Sequence, residues 1–286
     1  MNSGFFSTWI LFLDLLSLLC HSIGLYHLTI LYEHHRNKQQ RLLVASLSLC
    51  EALISLLFAI QEIVLLRTVG HSVIVAYLGI NITVGMNFVF YGSIVFITLD
   101  RFILIVFRPV HDHHCSVYNT KCLLAILWLL AFISNIIFCS VYAHTGHYYM
   151  EIFIKYVFPS LDAFFLMVST ISYVSILTVS WRSRRRVGEE MERRSFVMVS
   201  LLVLTFLIFI VVPDVVSSVY RWKRIHMGDT EWDIMLLLYR MAMISDAVLY
   251  ILLSQDIRKM ICLKVGAVRG LLALLWCRNR IQNTDV

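Results

Sequence analysis

Residues 72–102 read SVIVAYLGINITVGMNFVFYGSIVFITLDRF, an uncharged run that ends in Asp100 and Arg101. An apolar stretch of about 20 residues is enough to cross a hydrocarbon core about 30 Å thick. A charged pair at the end of such a run is costly in lipid unless it is partnered and used. The run is the third of seven, at about 7–31, 42–66, 72–99, 122–143, 152–181, 195–220 and 232–254. The whole chain has a mean hydropathy of +0.79, is 59% hydrophobic and carries only 15% charged residues. Soluble domains carry about 25% charged residues. The second run contains Glu51, Gln61 and Glu62, and the seventh contains Arg240 and Asp246. These polar side chains are expected to face the bundle interior. The expected fold is an all-α membrane protein: a single domain over 1–286, built as a seven-transmembrane-helix bundle. The segment 255–286 forms a short C-terminal interfacial helix and a cytoplasmic tail. The first run lacks a basic leading region and a small-residue cleavage site, so it reads as a span.

Lys and Arg set the orientation. With the N-terminus outside, the inner segments hold 18 of them and the outer segments five; Arg240 lies within the last span. The expected location is therefore the plasma membrane, multi-pass, with an extracellular N-terminus. The net charge of +6 reads as topology and contact with membrane lipids, not nucleic-acid binding. Of the seven cysteines only Cys139 lies near the outer face, so an outer disulfide within the chain is not expected. Cys262 and Cys277 are juxtamembrane and open to palmitoylation. Asn81-Ile82-Thr83 is the only glycosylation triplet, but it falls inside the third run. Ser254-Gln255-Asp256-Ile257-Arg258-Lys259-Met260-Ile261 is amphipathic and suits a helix lying in the inner interface.

Charged and polar residues gather at other depths. Glu51 and Asp246 are carboxylates in mid-membrane. If close together, they cannot both ionise cheaply, so they share a proton or hold a cation. Glu62, Thr83, Asn87, Asp162, Asp214 and Arg240 lie in the middle to outer half. Intramembrane charges are site candidates by default, so these six define a candidate ligand pocket; a packing-only salt-bridge network is the other reading. Arg240 could pair with Asp214 or Glu62, and it points to an anionic or carboxylate-bearing ligand. Pro213 should kink the sixth span. His111-Asp112-His113-His114-Cys115 has metal-ligand residue types but reads better as a solvated inner turn. No cofactor or metal is expected, and no nucleophile–base pair or phosphate loop suggests an enzyme.

Several of these residues carry a resemblance. Leu47-Ser48-Leu49-Cys50-Glu51, Asp100-Arg101-Phe102, Trp128, Tyr173, Pro213, Asp246-Ala247-Val248-Leu249-Tyr250 and Gln255-Asp256-Ile257-Arg258 fall in order on successive spans. Over about residues 20–262 the chain resembles a divergent rhodopsin-like (class A) G-protein-coupled receptor. A missing outer disulfide, a short second outer loop and a fifth span without the family's proline resemble the melanocortin-like branch. The resemblance implies a G-protein-coupling switch of Asp100, Arg101, Tyr173, Pro213 and Tyr250. Asp100 would hold Arg101 at rest. On activation Arg101 would meet a heterotrimeric G protein, supported by Tyr173 and Tyr250. It also implies that Glu51 and Asp246 stand at a sodium pocket. Phe90 replaces an oxygen ligand there, which favours the shared proton. Arg193 stands where the family places an acid that bridges to Arg101, so the resting lock should be weak and basal activity raised. Thr83 and Arg240 stand where amine receptors and opsins carry their defining residues, which disfavours a monoamine ligand or retinal. The expected function is transduction of an extracellular ligand signal to a G protein. The alternatives are a seven-helix chemoreceptor or scaffold without G-protein coupling, or a membrane transporter.

Overall fold

The computed structural model describes residues 3–30, 38–67, 77–79, 81–107, 110–111, 115–145, 158–183, 201, 204–205, 207–223 and 228–253. The described residues are overwhelmingly helical, with no strand among them. The helices are α1 (Ser3–Ile30), α2 (Lys38–Arg67), α3 (Asn87–Val106), α4 (Val117–Thr145), α5 (Phe158–Ser183), α6 (Val212–Trp222) and α7 (Asp229–Leu253). Two wider π turns, Asn81–Met86 and Leu207–Val211, run directly into α3 and α6. Within α1 to α4, four stretches are long and apolar enough to cross a membrane: Thr8–Leu28, Lys38–Val64, Asn87–Leu104 and Val117–His144. α7 is 25 residues long, but Arg240 and Asp246 interrupt its apolar character. Both are buried, so the protein interior shields them rather than lipid.

Burial separates the roles of the helices. Two-thirds of the α3 window is buried (67%), against 17% for α4. α3 is therefore the packed axis and α4 a peripheral helix. The outward face of α4, including Leu129, Phe132, Ile133, Ile136 and Ile137, is apolar and exposed, as suits a surface against lipid. Each helix touches its neighbours in a closed circuit: α1 with α2 and α7, α2 with α3 and α4, α3 with α4 and α5, and α6 with α5 and α7. At the α3–α4 crossing Gly92 allows a close approach. A Cβ there would lie 2.6 Å from Leu127 Cδ1.

Side-chain bonds fix the relative directions. On α1, Asp14, Ser17 and His21 meet Arg240, Ser55 and Ser48 in turn, and His21 also meets Met243. Positions rise along α1 and α7 together and fall along α2, so α7 runs parallel to α1 and α2 antiparallel to both. Cys50 bonds the Met86 carbonyl, and Gln39 bonds Asp100. α3 is therefore antiparallel to α2. Trp128 donates to Ser46 (3.0 Å), and Asn135 reaches Asn81, so α4 runs back beside α2. This up-and-down order follows from short connections between spanning rods. The core joins Leu47, Ile54, Val89, Phe90, Ile94, Leu127, Ile210 and Met243.

Pro213 is the second residue of α6, immediately after the Leu207–Val211 π turn. Proline lacks an N–H and crowds the preceding turn. The wider turn in front of it is where the helix absorbs that defect. Asn81, in the other π turn, donates to the Tyr77 carbonyl (2.8 Å) and accepts from Asn135. Both ends of its amide are engaged inside the protein.

Candidate functional site

Polar side chains occupy three levels of the bundle. At the C-terminal end of α3, Asp100 and Arg101 are both buried. Arg101 Nη2 lies 3.5 Å from Asp100 Oδ2. Asp100 Oδ1 accepts from Gln39 Nε2 at 2.6 Å and lies 3.3 Å from His111 Nε2. One carboxylate thus draws together α2, α3 and the segment after α3. The Nε of Arg101 is buried and has no hydrogen-bond partner. A guanidinium held by one acid, with a donor to spare, is a charge that a new acceptor can claim.

Cys115 stands beside this cluster. Burial chiefly pushes its thiol up from the ordinary cysteine value, the Asp100 charge adds to the effect, and a hydrogen bond with Gln39 works against it. Its thiolate should therefore appear at higher pH than that of an ordinary cysteine, about 8.5. We expect slow alkylation of Cys115 by iodoacetamide near neutral pH, rising as pH increases. Asp100→Asn should speed it. Mass spectrometry of the Cys115 peptide checks both; an unchanged rate in Asp100→Asn would separate the thiol from the carboxylate.

Mid-bundle, Glu51 and Asp246 face each other within hydrogen-bonding reach and are fully buried. Asp246 Oδ1 accepts from Thr205 Oγ1 at 2.8 Å. Neither Glu51 oxygen meets a donor among the described residues. His21 of α1 completes the group, with Nδ1 3.5 Å from Glu51 Oε2. Two carboxylates in contact here hold a proton or a cation between them.

Toward the start of α1, Arg240 is the largest fully buried side chain among the described residues. Its Nε lies 3.2 Å from Asp14 Oδ1, and its guanidinium carbon lies 3.9 Å from the centre of the Phe58 ring. The sequence left Arg240 with Asp214 or Glu62 as partners; among the described residues its ion-pair partner is Asp14, and the Asp214 side chain falls outside them. Glu62 is within electrostatic reach of Arg240 and of Asp233. Asp14 thus sets a negative charge against the buried guanidinium. Asn87 accepts from the Tyr239 hydroxyl at 2.6 Å, joining α3 to α7 beside this pair.

The structure thus brings together Asp100 with Arg101, and Glu51 with Asp246, and places Glu62, Asn87 and Arg240 among α2, α3 and α7. Pro213 is buried. Thr83, Asp162, Tyr173, Asp214 and Tyr250 lie on helical backbone, but their side chains fall outside the described residues. So do residues 112–114, Glu192, Arg193 and all of 254–286, with Cys262 and Cys277. The five described cysteines are unbridged. Sequence reasoning assigned no role to Asp14, His21, Gln39 or Tyr239. A signal for α1 was present: Asp14, Ser17, His21 and Gly24 recur at three- and four-residue spacing, which puts them on one helix face. All four are buried.

No protein-family model matches this chain, and no curated protein matches it.

Proposed function

We propose that the chain is a seven-span plasma-membrane receptor of the rhodopsin-like kind, with its N-terminus outside, coupling an extracellular ligand to a heterotrimeric G protein. The observation that carries this reading is the buried Arg101, held by Asp100 at the end of the central helix. The ligand would enter among α2, α3 and α7, near Glu62 and Asn87. Its binding would favour an arrangement in which α6 moves about the π turn and Pro213. That shift would release Arg101 toward the G protein. The Lys and Arg excess supports placing the Arg101 end in the cytosol. Transport is the second reading, favoured by the ionisable residues buried through α1, α2 and α7.

The test is a panel of G-protein biosensors in cells expressing the wild-type chain or Arg101→Ala at matched surface levels. Basal output above mock-transfected cells is expected, and Arg101→Ala should reduce it to the mock level. Output that survives in Arg101→Ala would remove Arg101 from coupling. Wild-type output equal to mock across all Gα classes would count against a raised basal state.

A further inference from the structure

We propose that His21, Glu51 and Asp246 form a proton-binding site that ties α1, α2 and α7 together, so that acidification favours their packed arrangement. The site goes beyond the receptor reading and does not depend on it. The argument begins with the imidazole. His21 Nε2 lies 3.0 Å from the Met243 carbonyl oxygen, which can only accept. Nε2 therefore carries the hydrogen. In a neutral ring Nδ1 is then a lone pair. That lone pair accepts a hydrogen bond from Ser48 Oγ, 3.0 Å away, and lies 3.5 Å from Glu51 Oε2. Glu51 in turn faces Asp246, and neither Glu51 oxygen receives a donor among the described residues. Beside the satisfied imidazole stand two carboxyl groups, acceptor against acceptor. Buried acceptors require donors. One proton shared between Glu51 and Asp246, and one on Glu51 Oε2 facing His21 and Ser48, supply them. The same two protons bring the group from two negative charges to none, as burial in low dielectric demands.

The neighbouring charges do not take over this role. Asp14 and Arg240 lie about two turns away along α1 and compensate each other. Asp100 and Arg101 of α3 belong to the cluster at Gln39, about three turns along α2 from Glu51. Cys50 of α2 turns to the Met86 carbonyl, and Thr205 contributes a neutral hydroxyl. Three helices meet at one group of acceptors, so every proton it binds acts on all three contacts.

The sign follows from linkage. An unfolded chain has ionised carboxylates above about pH 4, whereas the packed site holds protons. Stability therefore falls as pH rises. For the full chain in lipid nanodiscs, the thermal midpoint between about pH 5 and 8 should drop by roughly 3 °C per pH unit for each excess proton. Exchanging sodium chloride for N-methylglucamine chloride should leave the midpoint unchanged. Glu51→Gln supplies permanent donors and should flatten the pH dependence. Wild-type protein should also show the infrared carbonyl band of a protonated carboxyl at neutral pH, a measurement that needs no variant. A missing band, a wild-type midpoint insensitive to pH, a pH dependence retained in Glu51→Gln, or a midpoint raised by sodium would each overturn the proposal. None of these readouts involves a G protein, so failure here leaves the coupling reading standing, and the reverse.

Discussion

Asp14→Leu is expected to destabilise the protein by about 3–5 kcal/mol, the typical cost of stripping one partner from a buried ion pair. The reason lies at Arg240, which is fully buried against Asp14 and Phe58. A guanidinium cannot shed its proton at any accessible pH, so removing Asp14 takes away its ion-pair partner among the described residues and leaves the more distant Glu62, the Phe58 ring face and a long contact from Nη1 to the Leu236 carbonyl (3.4 Å). Arg240→Leu should be milder, because an orphaned carboxylate escapes by taking up a proton. The double variant Asp14→Leu/Arg240→Leu should return to within about 1 kcal/mol of wild type, since apolar replacement of a whole buried pair is commonly neutral. Thermal midpoints in nanodiscs check the order. Asp14→Leu should fall by roughly 10 °C, Arg240→Leu by less, and the double variant by little. Equal losses in both singles and an additive double would show that the pair is not coupled.

That pair also marks where the sequence stops being informative. Helix positions were legible because spans are written as contiguous apolar runs. The first, second, fourth and seventh runs correspond to Ser3–Ile30, Lys38–Arg67, Val117–Thr145 and Asp229–Leu253 within a few residues. The third helix continues past the charges that seemed to end its run and stops at Val106. Asp100 and Arg101 can stay helical because Asp100 is bonded to Gln39 and paired with Arg101. Glu51, Asp246, Asp100 and Arg101 stood out as charges in apolar surroundings. Their partners did not, because partnership is a property of packing. Asp14 and Arg240 are 226 residues apart, and His21 and Met243 are 222 apart. No local spacing relates them. The nearest sequence clue was the polar stripe on one face of α1, and it names a buried face without naming what covers it.

The same physics makes Asp100→Ala the second large effect. Asp100 is the ion-pair partner of Arg101 among the described residues, and it also takes the Gln39 and His111 contacts. Alanine would leave a buried guanidinium without its anion and two donors without their acceptor. A loss of about 3–5 kcal/mol is expected, again as a clear fall in thermal midpoint. Asp100→Asn keeps an acceptor for Gln39 and should lose less, which separates the hydrogen bond from the charge. The functional consequence runs the other way. On the proposed coupling reading, an Arg101 no longer restrained would stand closer to the coupling-competent arrangement, so surviving Asp100→Ala protein should signal more per surface-expressed molecule than wild type in the biosensor panel. A lower midpoint with higher output per receptor is the signature of a restraint that was holding the resting state. A lower midpoint with output that falls in proportion to surface expression would make Asp100 a packing residue only, and Arg101 would lose its role as the released element of a switch.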